Sequence, residues 1–338
     1  MITAKEITKK SLWEDFLLAS NQASFLQSWN WGQFHQNLGH KITRLGFYDS
    51  KKLIGLSLLI KIKAKRGSYL ECPAGPVCSY KNKTTLKQII RLIKDQAVKE
   101  NTSFIRIRPN AIETKENLAL LKQLGLHPSP MHLHAETTWV LDLKPSHEEL
   151  LRQMRKNTRY AIKKSSKLNI LVTSSLDSKD VNLLYKLQLD TANRNKFIPF
   201  SKDYFLYQLN AFKTDNQIQL LKAKYKGELL AISFIIFYKD EATYHYSGSS
   251  SKQRNIPASY ALQWAAIKEA KRRGLKRYNF WGITKGSQRD HRFSGVTLFK
   301  KGFGGYQVNY LKGHDLPIKK IYWLTYIFET IRRRLRHL

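Results

Sequence analysis

Apolar and polar positions change period several times along the chain, and each change predicts an element. Ser24–Leu38 reads as a short approach strand followed by a helix, with Trp31, Phe34 and Leu38 at helical spacing. Ile42–Tyr48 and Leu53–Ile62 are apolar runs around the polar turn Asp49-Ser-Lys-Lys52, which predicts a β-hairpin. Tyr69–Val77 reads as a strand ending in the turn Pro73-Ala-Gly-Pro76. Thr84–Glu100 carries Leu86, Ile89, Ile90, Ile93 and Ala97 on one helical face, and Phe104–Ile107 is a strand stopped by Pro109. Asn117–Leu124 is a helix stopped by Gly125, and Thr138–Leu143 is a strand. A basic helix is predicted over Ser146–Lys167 and another over Val181–Asn193, followed by the Arg194–Ser201 loop and a helix from Tyr204. A second hairpin (Ile218–Tyr225 and Leu229–Tyr238), the strand Thr243–Ser247, the helix Ser259–Arg273 and the strand Arg277–Phe280 complete the series.

The two halves repeat each other. Hairpin, strand, turn, helix and short strand recur in one order, offset by roughly 175 residues, and Leu53-Ile-Gly-Leu-Ser aligns with Leu229-Leu-Ala-Ile-Ser. Early hairpins and a later crossover helix predict an α/β (α+β) fold of two tandem domains, each a mixed sheet flanked by helices. The expected division is 1–144 plus 317–338 for the first domain and 145–316 for the second.

Composition narrows the partners. The 338 residues hold 59 Lys and Arg against 25 Asp and Glu, a net charge of +34 spread along the chain. Such a field favours polyanions: RNA, phosphorylated molecules or an anionic membrane face. The two cysteines, Cys72 and Cys78, have no Cys or His cluster nearby, so neither a zinc site nor a disulfide framework follows. His127, His132 and His134 fall within eight residues and are read without an acidic or cysteine partner, which favours loop and strand roles over metal ligation. Met1–Glu6 has no apolar core of signal-peptide length, and no stretch approaches a spanning helix, so a cytoplasmic protein is expected.

One stretch concentrates candidate chemistry. Thr297–Gly305 sets Lys300 and Lys301 beside Phe299 and Phe303 and among Gly302, Gly304 and Gly305. It reads as a strand and turn. A lysine held among aromatics can bind phosphate or stabilise an oxyanion, and glycines let backbone approach a ligand.

Five motifs in order resemble the FemABX family: Gln27-Ser-Trp-Asn-Trp31, Pro73-Ala-Gly-Pro76, Tyr246-Ser-Gly-Ser-Ser250, Tyr278-Asn-Phe-Trp-Gly282 and Phe299-Lys-Lys-Gly-Phe-Gly-Gly305. The resemblance spans nearly the whole chain. It implies tandem acetyltransferase-like (GNAT) domains and transfer of an amino acid from aminoacyl-tRNA to an amine of a peptidoglycan precursor, UDP-linked or lipid-linked. The ester is already activated, so no cofactor is implied, and no phosphate-binding Gly-x4-Gly-Lys-Ser/Thr loop is present. By the same resemblance Lys300 stabilises the oxyanion with Phe299 beside it. Tyr204 and Tyr246 line the precursor site, Arg106 and Arg194 are further substrate contacts, and Tyr244 and Trp281 join them from the quoted motifs. Three departures stand out. Arg108 replaces a carboxylate found before the proline in some members. Gln33, His35 and Gln36 stand where a phosphate-binding lysine is expected, and Phe200 and Ser201 where an arginine is expected. No coiled-coil arm is inserted.

Two other readings stay open: an N-acyltransferase using acyl-CoA or another activated donor, and an RNA-binding protein without catalysis. A monomer is favoured. Lys319–Leu338 adds a separate signal. Ile321, Leu324, Phe328, Ile331, Leu335 and Leu338 fall at helical spacing, with Arg332–Arg334 and Arg336 at the end. A basic amphipathic helix of this kind can lie on an anionic membrane or pack on the first domain, and the two can coexist.

Overall fold

The computed structural model describes residues 2–132, 134–195, 197–284 and 293–335. They fall into two units, 1–136 with 309–338, and 137–308. In the first, an eight-stranded sheet runs Ile2–Glu6, Lys41–Asp49, Lys52–Ala64, Gly67–Pro73, Phe104–Arg108, His314–Pro317 and His127–Pro128, with Val77–Cys78 paired onto Lys52–Ala64. In the second, seven strands run Tyr306–Asn309, Thr137–Asp142, Arg277–Gly282, Glu241–Ser249, Glu228–Tyr238, Ile218–Tyr225 and Leu171–Ser175.

The repeat is real at the level of hydrogen bonds. Gly67–Pro73 runs parallel to Phe104–Arg108 across the helix Lys83–Lys99, and Glu241–Ser249 runs parallel to Arg277–Gly282 across the helix Ala258–Arg272. Each hairpin carries a bulge at the matching place: Tyr48 pairs Leu53 while Phe47 pairs Gly55, and Lys224 pairs Leu229 while Ala223 pairs Ala231. The aligned segments Leu53-Ile-Gly and Leu229-Leu-Ala are therefore the same bulge twice.

The division differs from the sequence expectation at both ends. Thr137–Asp142 pairs antiparallel with Arg277–Gly282 and so belongs to the second sheet. His314–Pro317 pairs with Phe104–Arg108 and belongs to the first. Period alone marks a strand but not its partner.

Four elements also depart from prediction. Ser24–Leu38 begins with a 3-10 turn, Phe25–Gln27, in place of a strand, and Ser28 then caps the helix Trp29–Asn37. The buried Gln27 explains this: its amide bonds the Pro73 carbonyl, and its oxygen accepts from Leu58 N at 2.8 Å, so two of the five motifs meet here. Tyr69–Val77 is two strands, since Ala74 turns the chain at φ 52°. The basic helix 146–167 breaks into His147–Gln153 and Lys156–Lys167, because Met154 is extended and its side chain is buried. The fourth departure is Thr297–Gly305 itself. It begins as the end of a helix, Ser294–Lys301, and closes in a turn with Gly304 at φ 80° and Gly305 at φ 94°.

The glycines of that turn serve packing. Arg155 N donates to Gly302 O at 2.9 Å, and a side chain at Gly302 would strike the Thr158 hydroxyl. A Cβ at Gly305 would strike the Val140 carbonyl oxygen. Gly305→Ala combines that clash with a strained φ and should cost about 2–3 kcal/mol. A urea titration of the variant checks this, and an unchanged midpoint would contradict it.

Candidate functional site

Lys300 is set by its helix. Thr297 and Lys300, three residues apart, are the buried positions of Ser294–Lys301. Thr297 Oγ1 accepts from Thr284 N at 3.0 Å, and Lys300 Nζ donates to Gly282 O at 2.6 Å. The ammonium lies 5.9 Å from the Tyr244 ring centroid. Among the described residues no carboxylate pairs with it. Burial alone pulls its pKa down to about 7. A lysine so placed is part ammonium and part free amine near neutrality, able to donate to an oxyanion or exchange a proton. Lys301 is turned away by one helical step and sits 5.2 Å from the Trp139 ring. A strand would also have separated the two lysines, but by opposite faces rather than by a helical step of about 100°.

Phe299 packs on neighbouring aromatic rings. Its ring meets Tyr260 edge-on at 4.9 Å and Phe303 at 5.3 Å, bracing the helix against Ala258–Arg272. Trp139 Nε1 donates to Gly304 O at 2.6 Å and pins the turn.

The tyrosines divide. Phe234 pairs Tyr246 while Ile235 pairs Tyr244, so His245 is an extra residue in the strand. A bulge re-aims side chains. Tyr244 packs with the core that holds Phe280 and Phe303. Tyr246 instead meets Phe205 at 5.3 Å, and its hydroxyl lies 3.1 Å from that of Tyr204. Burial raises the Tyr246 pKa, so Tyr246 stays protonated and can hydrogen-bond a ligand as a hydroxyl. Trp281, at φ 65°, stands edge-on to His245 at 5.2 Å. Phe200 and Ser201, where an arginine was expected, have other work: Phe200 stacks on Tyr204 at 4.1 Å, and Ser201 Oγ caps Tyr204 N at 3.2 Å.

Arg194 donates to Ser249 Oγ and Ser251 Oγ at 2.9 Å each. It lines a cleft of about 320 Å³ with Lys252, Arg254 and Ser259, where the helix Ala258–Arg272 begins. Burial, then the charge of Arg254, lowers the Arg194 pKa, so an anion in the cleft would relieve both.

Arg106 is spent within the protein. Its guanidinium holds Asp315 in a two-point bond of 2.7 and 2.8 Å and reaches Glu329 at 2.7 Å. The side chain is 3% exposed. Burial works against its charge, but Asp315 and Glu329 outweigh that and raise its pKa.

The first unit contains a polar cluster that the sequence reading passed over. His134 Nε2 lies 3.3 Å from the Glu71 carboxylate, and His132 Nδ1 lies 2.8 Å from Glu136, so both histidines have acidic partners; Glu136, four residues after His132, was in reach of local spacing. Glu71 comes from a distant strand, which no local spacing reveals. His35 is buried beside them, and burial lowers its pKa to about 3. Arg108 is fully enclosed, with its pKa lowered to about 10 by burial and Nη1 3.4 Å from Ala135 O. Glu71 and His134 form a carboxylate–imidazole pair able to hold or pass a proton. Among the described residues no group of three or more such side chains fits a metal ion.

Comparison with solved structures defines the class first. The fold matches the crystal structure of FemX with a TM-score of 0.84 over 97% of this chain and 100% of that one, at 17% identity. It also matches a tandem GNAT protein from the clavulanic acid biosynthesis pathway at 0.60, over 94% and 99%, at 10% identity. Both units are thus GNAT-like, in tandem. The model of the FemAB family matches residues 7–226 and 213–330, and the chain belongs to that family. Curated relatives include the aminoacyltransferase FemA of Staphylococcus epidermidis, 32% identical over 145 residues, 42% of this chain and 34% of that protein. FemA of Staphylococcus aureus is 29% identical over 151 residues, 44% of this chain and 36% of that protein. The chain therefore aligns with about a third of the length of these relatives.

Proposed function

We propose that the protein is an aminoacyltransferase that moves an amino acid from aminoacyl-tRNA to an amine of a peptidoglycan precursor peptide. The observation that carries this is Lys300, a buried lysine without a carboxylate partner among the described residues, held by one carbonyl at the end of a braced helix. The acceptor amine attacks the ester carbonyl carbon, and the carbonyl oxygen takes up the negative charge. Lys300 as ammonium donates to that oxygen. The ester C–O bond then breaks, and the ribose hydroxyl of the tRNA leaves with the proton released by the amine. Donors aimed at a developing oxyanion in a dry site typically contribute about 10²–10³ in rate. The Tyr204–Tyr246 hydroxyl pair supplies hydrogen bonds to the precursor. The cleft of Arg194, Lys252 and Arg254 suits phosphates near the tRNA 3′ end.

The same cleft supports a second reading, in which the anionic donor is an acyl-CoA. One assay separates them. Purified protein is given a total pool of charged tRNA or acyl-CoA, with UDP-linked and lipid-linked precursors as acceptors, and product is followed by mass. Transfer from tRNA with at least one precursor is expected. Product from acyl-CoA alone would overturn the proposal.

A further inference from the structure

An amphipathic helix ordinarily buries its apolar stripe and shows its polar one. The helix Tyr322–Leu335 does the reverse. Its inward face is Tyr322, Thr325 and Glu329, at helical spacing, with Tyr322 and Thr325 buried. Glu329 accepts from Arg106 Nη2 at 2.7 Å, and Tyr322 donates its hydroxyl to Asp315 at 3.3 Å. Glu329 is also the one acidic residue between positions 316 and 335. These polar anchors point the other stripe outward: Leu324 is 67% exposed, Ile327 56%, Ile331 53% and Leu335 76%.

Basic groups rim this stripe. Arg332–Arg334 occupy the last turn, and Lys319 and Lys320 precede the first. Arg66, from the turn before Gly67–Pro73, lays its guanidinium over the Phe328 ring at 3.6 Å. Trp323 and Phe328 are part-exposed at 44% and 43%, as aromatic side chains at a headgroup boundary are. Among the described residues no helix is long and apolar enough to cross a membrane. Arg336 and Leu338 lie outside the described residues.

We infer that this face seats the protein on an anionic lipid bilayer, with Leu324, Ile327, Ile331 and Leu335 entering the acyl boundary and the arginines pairing with lipid phosphates. Charge complementarity selects this occupant: an exposed apolar stripe ringed by cations, its only acid turned inward, matches a negative interface. A second copy of the chain would bring the same cations face to face. The inference does not depend on the transfer reaction.

The test is co-sedimentation of the full chain with vesicles. Phosphatidylglycerol–phosphatidylethanolamine vesicles should carry the protein down, and pure phosphatidylcholine vesicles should carry roughly tenfold less. Leu324→Gln with Ile331→Gln should cut binding to the anionic vesicles by about tenfold or more. Both positions are exposed, so the variant's thermal midpoint should match the parent's. Arg332→Gln with Arg334→Gln should weaken anionic binding and reduce its salt dependence. Equal sedimentation of parent and Leu324/Ile331 variant would overturn the inference. So would failure of the parent to bind, with a concentration-dependent dimer that the same variant dissolves.

Discussion

Lys300→Met should abolish turnover and stabilise the protein at the same time. The lysine is 7% exposed, and its pKa is pulled from 10.5 to about 7 by burial. The unfolded chain therefore binds the proton more tightly than the folded one. Stability rises with pH between about 7 and 10.5 in the parent, and the whole penalty is present below that window. Methionine keeps most of the volume and removes the charge. At pH 6.5 the variant should gain on the order of a few kcal/mol, less about 1 kcal/mol for the Gly282 carbonyl left without its donor. Near pH 10 the gain should almost vanish. Urea midpoints at the two pH values measure this, and single-turnover transfer measures the catalytic loss, expected at 10²-fold or more. A Lys300→Met protein that is less stable than the parent at pH 6.5 would show that the ammonium is not held at a cost. One that still turns over would remove Lys300 from the mechanism. Lys301→Met should do neither, since Lys301 is part-exposed against Trp139.

Arg106→Met should act in the opposite sense, on stability first. It would leave Asp315 buried without its two-point partner and free Glu329 from its anchor. Breaking one side of a buried ion pair costs about 3–5 kcal/mol. Arg106→Lys should recover only part of this, because an ammonium cannot make the parallel two-point bond. The measurement is the unfolding midpoint, with proteolysis of the last helix as a second readout, since Glu329 ties that helix down. If Arg106→Met instead raised KM for the precursor at unchanged stability, Arg106 would be a substrate contact, as the family resemblance implies.

These two residues show where sequence reading succeeds and where it stops. Lys300 is singled out by its neighbours in sequence, and its burial comes from a helix where a strand was expected. The burial pattern explains the error. Thr297-Leu-Phe-Lys-Lys-Gly-Phe places an apolar pair and a glycine where either period fits, and the helix is selected by the Thr297 bond to Thr284 and by the packing of Phe299 on Tyr260. Arg106 was named from a motif position, but its partners lie more than two hundred residues away at Asp315 and Glu329. The same holds for His134 and Glu71, and for the bulge at His245 that parts Tyr244 from Tyr246.

What the sequence determined by itself is the tandem plan: two hairpins, two crossover helices and two following strands, each written in local apolar period, with a net positive charge spread along the chain. Those are properties of short windows, where backbone period and side-chain type act together. The tertiary structure alone decided which side chains lose their water. It buried Lys300 beneath a carbonyl, committed Arg106 to carboxylates, and turned the apolar stripe of the last helix outward by fastening its polar one. Desolvation and long-range pairing set each of these, and neither is a property of neighbours along the chain.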